Sequence, residues 1–146
     1  GEGGAPPEEL QRMRSLQERV TALLAQPGVE MRGMVNQSAL ADAYAQAGFW
    51  LYPTSMAETS CISAMKAMAN GAVPVTSRFS PSGLTETTAA FDLGPHPPAP
   101  GVTLASSPEQ LQRWAEAAAA AAQGGARVWK LRAEMKAWAR ARYSWR

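Results

Sequence analysis

Residues Tyr52 to Val75, YPTSMAETSCISAMKAMANGAVPV, read as strand end, acidic loop, small-residue helix, glycine turn and second strand. Phe49, Trp50 and Leu51 form a short apolar run suited to a buried strand, and Pro53, Thr54 and Ser55 punctuate its end. Ala and Met fill the stretch from Ser60 to Asn70, which predicts a helix able to approach a sheet closely, with Gly71 as its stop and Val73 to Thr76 as the next buried strand. The loop carrying Glu58 therefore falls at the C-terminal end of a strand. Open α/β sheets bind ligands at that end, and the helix start around Ser60, Cys61 and Ile62 would turn free N–H groups toward a bound anion such as a diphosphate.

The rest of the chain continues the alternation. After Glu8 and Glu9, Leu10, Met13, Leu16, Val20 and Leu23 fall on one helical face, and Gln26-Pro27-Gly28 ends the run. Val29 to Val35 alternates moderately and predicts a short strand ending near Asn36. Ser38 is the expected N-cap of a helix to about Ala47, stopped by Gly48. Arg78 to Ser82 reads as a loop. Asp92 to Gly101 holds four of the 11 prolines and reads as an exposed connector. Val102-Thr103-Leu104 is expected to be a last strand. Ser107-Pro108 then starts a helix containing Leu111, Trp114 and the alanine run, and Gly124-Gly125 separate it from a final helix over 126–143. Strands alternating with helices predict an α/β domain, a parallel sheet with helices on both faces.

A chain of 146 residues fits one core of ordinary size. One cysteine, Cys61, excludes an internal disulfide framework, and one histidine, His96, leaves little for a metal cluster, so no metal site is expected. No run reaches the roughly 18 apolar residues of a membrane span, which leads us to expect a soluble, cytoplasmic protein. The net charge of +2 is unevenly placed: residues 127–146 carry seven basic side chains against Glu134, and the preceding part carries seven basic and 11 acidic ones. Val128, Leu131, Met135 and Trp138 recur at spacings of 3, 4 and 3, so an amphipathic helix with a solvated basic face explains the tail. Nucleic acid is not expected as a partner. No aromatic–basic interleaving of the kind that a single-strand platform uses occurs outside this helix. Trp129, Trp138 and Trp145 are read as packing residues.

Pro53-Thr54-Ser55, Glu58-Thr59-Ser60, Ala64-Met65-Lys66-Ala67-Met68-Ala69, Gly71 and Pro74-Val75, following an aromatic strand, resemble the donor-binding domain of retaining GT-B glycosyltransferases of the family 4 type. The likeness extends more weakly from Val29 to Glu86, and Ala141 to Trp145 is similar to the end that follows the last helix in that family. It implies a Rossmann-like fold, here the C-terminal half of a GT-B enzyme truncated at its N-terminus. The partner it implies is an acceptor domain, or a separate chain that supplies one. Gly1 to Pro7 then reads as the turn after an earlier strand, or as a flexible leader.

The activity implied is transfer of a hexose from a UDP-, GDP- or ADP-linked sugar with retention, the nucleotide-sugar being substrate and no cofactor being needed. In that family a Glu, seven residues and a second Glu mark the donor site. Glu58 matches the first, placed near the sugar hydroxyls. Lys66 stands at the second, beside the ribose, where an ammonium can donate but not accept. Two readings follow: a modified donor site, or a non-catalytic scaffold in a larger assembly. The N–H groups of Thr59, Ser60, Cys61 and Ile62 would hold the leaving diphosphate, with the Thr59 and Ser60 hydroxyls adding to them. Ser60 is alternatively a plain N-cap, which would stabilise the helix by about 1 kcal/mol without any ligand. Gly83-Leu84-Thr85-Glu86-Thr87 resembles that family's turn beside the donor pocket, so Glu86 lies either beside the donor or in the cap of a following helix. Cys61 has no histidine placed by sequence to activate it and is read as a buried structural thiol.

Overall fold

The computed structural model describes residues 6–78 and 81–144. Gly1–Ala5, Trp145 and the middle of the Arg78–Ser82 loop, all given sequence readings above, lie outside the described residues. The chain divides into two units, Gly1–Val35 and Asn36–Arg146.

The first unit holds α1, Pro7–Leu24. Pro7 at the first helical position lacks only an N–H that would be unsatisfied there, and Glu8 and Glu9 complement the positive end of the helix dipole. Gly28, at φ 88°, leaves the helical path beyond the end. The apolar stripe is as expected in position, but its Leu10, Met13, Leu16, Val20 and Leu23 are all exposed. The strand expected over Val29 to Val35 does not form: this stretch is irregular and exposed, Gly33 takes φ 61°, and the first unit contains no described strand to pair with it. Without a ladder partner, alternation alone does not hold a strand together.

The second unit begins with α2, Gln37–Gln46. Its N-cap is Asn36, whose Oδ1 accepts the Ala39 N–H at 2.9 Å, and not Ser38. The cap sits two residues earlier because an Asn there bonds the third helical N–H as well as a Ser can. β1, Phe49–Tyr52, and β2, Val73–Thr76, pair in parallel with Phe49 opposite Val73 and Tyr52 opposite Thr76. α3, Ile62–Asn70, connects them and ends at Gly71, whose φ of 99° is one that side chains seldom adopt. Successive peptides of a strand face opposite edges. Since the Val73 N–H reaches back to the Gly48 carbonyl at 3.0 Å, the missing N–H of Pro74 faces away from β1 and costs no ladder bond.

The outer edge of β2 is covered by residues after the next helix. The Leu93 N–H donates to the Pro74 carbonyl at 2.9 Å, and the Thr76 N–H to Asp92 Oδ1 at 2.9 Å. The proline-rich connector is therefore buried at its start, at Asp92 and Gly94, and exposed only further on. The turn expected at 83–87 is a helix, α4, Gly83–Thr88, capped by Ser82. Val102 to Leu104 forms no strand; Thr103 and Ser106 close a turn on each other instead. α5, Pro108–Ala122, starts at Ser107 as expected and lays Trp114 on β2, its indole N–H donating to the Val75 carbonyl at 3.0 Å. α6 spans Gly125–Arg142.

Burial follows from this arrangement. Met68, Val73, Met135 and Ala139 form one core, joining α3, β2 and α6, with Phe49 and Trp138 among the residues packed around it. Cys61, Ala64 and Leu84 form a second, under Trp50 and Tyr52. The alanines of α3 let α6 and β2 approach closely, and about 25 cal/mol per Å² of apolar area removed from water drives both clusters. The second unit is thus a mixed α/β structure around a two-stranded parallel sheet.

Candidate functional site

Two loops leave the C-terminal ends of β1 and β2. The first, Pro53 to Cys61, carries Glu58. Its base is fixed from both strands, because Thr54 is buried and its carbonyl accepts the Ser77 hydroxyl. Its far end is fixed by α4: the Gly83 N–H donates to the Glu58 carbonyl, and the Glu58 N–H reaches Ser82 Oγ at 3.4 Å. A Cβ on Gly83 would overlap the Thr59 carbonyl, so the loop can lie here only because position 83 has no side chain.

Within that frame Tyr52 positions the Glu58 carboxyl. The Tyr52 hydroxyl donates to Glu58 Oε1 at 2.6 Å, and Tyr52 is itself stacked on Trp50 with ring centroids 4.6 Å apart. This bond to Glu58 is the main reason that the Tyr52 hydroxyl holds its proton above the usual tyrosine range, with burial adding to it. Glu58 is half-buried, and its carboxyl also takes a hydrogen bond from the Cys61 thiol.

α3 begins at Ile62 rather than Ser60. Cys61 occupies the N-cap position and makes no side-chain cap bond, so Ser60 does not serve as the cap. α2, α4 and α5 are all capped by side-chain oxygens, from Asn36, Ser82 and Ser107. The start of α3 thus keeps its positive end without a side-chain acceptor, four residues from Glu58. Thr59, Ser60 and Ile62 are exposed here, and Cys61 is buried. Burial, with Glu58 beside it, pushes the Cys61 thiol up to about 11, so it is a neutral packing group near pH 7.

Two further residues named from the sequence stand apart from this cluster. Lys66 lies on the exposed side of α3 toward α2, and its ammonium donates to Gln37 Oε1 at 2.9 Å. Glu86 is exposed in the first turn of α4, so it caps no following helix.

Sequence reasoning missed Tyr52, Ser82 and Gly83 as the supports of Glu58. The only signal was the Gly83 position in an otherwise helical run. It also missed Asp92, which lies in what read as a connector. Asp92 is 4% exposed, and its carboxylate accepts from the Thr76 N–H, the Thr76 hydroxyl, the Thr88 hydroxyl at 3.1 Å and the Gly94 N–H at 2.8 Å.

Three basic side chains of the final helix make contacts within the fold. Arg132 donates to the carbonyls of Ala45 and Ala47 at the end of α2, at 3.2 and 3.4 Å, and Arg140 Nε to the Ala69 carbonyl of α3 at 2.9 Å. Arg142 lies over the Trp138 and Tyr143 rings. No group of three His, Cys, Asp or Glu side chains able to hold a metal ion occurs among the described residues. No described helix is long and apolar enough to cross a membrane. No family model matches the chain, and neither a curated protein nor a solved structure does.

Proposed function

We propose that the cluster around Glu58 is the donor site of a retaining hexosyltransferase, in a Rossmann-like domain that binds a nucleotide-sugar. The observation that supports this reading best is the pairing of a tethered, half-buried carboxylate with a helix start that has no side-chain cap. A carboxylate offers about four lone-pair sites, so the half-exposed Glu58 can still accept from a sugar hydroxyl beside its bonds to Tyr52 and Cys61. The N–H groups at the start of α3 suit the negative charge that gathers on a leaving diphosphate, and such preorganised donors stabilise a transition state without reorganising. The Thr59 and Ser60 hydroxyls are exposed beside them. In this reading the acceptor and its positioning groups come from another domain or chain.

Lys66 favours a second reading, a non-catalytic scaffold of the same fold. Its bond to Gln37 engages the ammonium in a contact between α2 and α3. A ribose diol would have to displace that contact or share it.

Calorimetric titration of the longest soluble form of the protein with UDP, GDP and ADP and their glucose conjugates separates the two. A working donor site gives saturable binding to one nucleotide, and Glu58→Ala weakens its sugar conjugate about tenfold or more while leaving the bare nucleotide nearly unchanged, a difference of about 1.4 kcal/mol. Absence of binding to every nucleotide favours the scaffold.

A further inference from the structure

Arg78 is held in a way that packing does not explain. It follows β2 by two positions and opens the loop that Ser82 and Gly83 close on Glu58. Its backbone takes φ 49°, a region that long side chains enter at a cost. Two bonds fix the residue there: its N–H donates to Thr76 Oγ1 at 3.2 Å, and its Nη1–H donates to the Asp92 carbonyl at 2.8 Å. No carboxylate pairs with its guanidinium among the described residues, where the ion pairs are Arg32–Glu30 and Lys130–Glu134. The Asp92 carboxylate is already taken up by Thr76, Thr88 and Gly94. Arg78 Nε is buried and has no acceptor.

A guanidinium carries five N–H donors in a planar fork, and a half-buried one without a counter-charge calls for acceptor oxygens. A second donor at this end of the sheet is in the same condition. Gln110 is 2% exposed; its Oε1 accepts from Arg113 at 3.4 Å, and its Nε2 is buried without a partner. Trp114, one turn later, sits on the Val75 carbonyl, and helical side chains lean toward the helix N-terminus. The loop before α5 meets the loop after β1, where the Ala105 N–H donates to Ser55 Oγ at 3.1 Å. Gln110 therefore lies toward the C-terminal end of β2.

We infer that Arg78 is the cation of an oxyanion site at the C-terminal end of β2, and that the oxyanion is the diphosphate of the donor. The identity of the oxyanion rests on the donor-site reading above; the existence of the site does not. Asp92 then acts as a positioning residue, bracing Thr76 and offering its carbonyl to Arg78, so that the fork is held before any ligand arrives.

Inorganic pyrophosphate is the probe, titrated by calorimetry into the longest soluble form of the protein at low and moderate salt. Saturable binding is expected, weakened about tenfold or more by Arg78→Gln, less by Arg78→Lys, and unaffected by Glu58→Ala. Millimolar guanidinium should restore binding to Arg78→Ala. A purely structural Arg78 would shift the melting temperature, show no such rescue, and leave the affinity of the folded protein unchanged; that pattern, or the absence of pyrophosphate binding, overturns the inference. Nucleotide-sugar binding that depends on Glu58 but not on Arg78 removes the donor diphosphate as the occupant of the Arg78 site and leaves the donor reading standing. Pyrophosphate binding that depends on Arg78, without any nucleotide-sugar binding, keeps the oxyanion site and removes the donor reading.

Discussion

Glu58 and Cys61 are three residues apart in one loop, and burial gives them opposite roles. The thiol is enclosed and the carboxyl stays partly exposed. An unfolded cysteine ionises near pH 9, and the folded one does so near 11. Between those values the folded state keeps a proton that the unfolded state has lost, so stability falls as pH rises through the window, by about 3 kcal/mol from this group. The loss is absent below pH 9 and complete above 11. Urea denaturation at pH 8 and pH 10.5 should show it in the parent protein and show it reduced in Cys61→Ala. Asp92 yields a second prediction at this scale. Removing its carboxylate in Asp92→Ala orphans buried donors on Thr76, Thr88 and Gly94, which should lower stability by about 3 kcal/mol in the same assay. The sequence did point to Glu58, because a carboxyl at the end of a strand, ahead of a small-residue helix, is a local pattern. It could not point to Asp92: Thr76 lies 16 residues away, and no spacing rule connects them.

Helices with local start and stop signals were legible. Glu8 with Glu9, Ser107-Pro108 and the Gly124-Gly125 break placed α1, α5 and α6 within a residue or two. The strands expected over 29–35 and 102–104 were not formed, because a strand exists only with a neighbour and alternation says nothing of whether one is present. Nor could the basic composition of α6 reveal its purpose. Arg132 and Arg140 lie eight positions apart, about 12 Å along the helix, and satisfy last-turn carbonyls of two different helices. Arg132→Ala and Arg140→Ala should each cost about 1 kcal/mol, and the double variant close to the sum, since the sites share no partner; chemical denaturation of the three variants measures this. Gly71→Ala tests the same clasp. A Cβ there would meet Arg132 Nε at 2.9 Å and take a φ of 99°, so a loss of at least 1 kcal/mol is expected.

Across the whole chain, stability is unevenly distributed. The second unit has two apolar clusters, whereas α1 has no buried residue. An 18-residue helix without packing is marginal in water, so native-state hydrogen exchange should show α1 amides protected far less than those of α3 and α6, which meet at Met68 and Met135. Equal protection would mean that the apolar stripe of α1 is covered in solution. The amino-acid sequence by itself determined the local elements: where helices start and stop, the two short apolar strands, and the loop between them that carries Glu58. These depend on side chains within a few positions of one another and on backbone limits such as those of Gly71 and Pro108. Only the tertiary structure decided the rest, including the Tyr52 hold on Glu58, the approach of Gly83, the diversion of Lys66 to Gln37, the burial of Asp92 and the strained, unpaired setting of Arg78. Each of these joins segments remote in sequence, and such contacts are selected by the packing of the whole core, which no local spacing encodes.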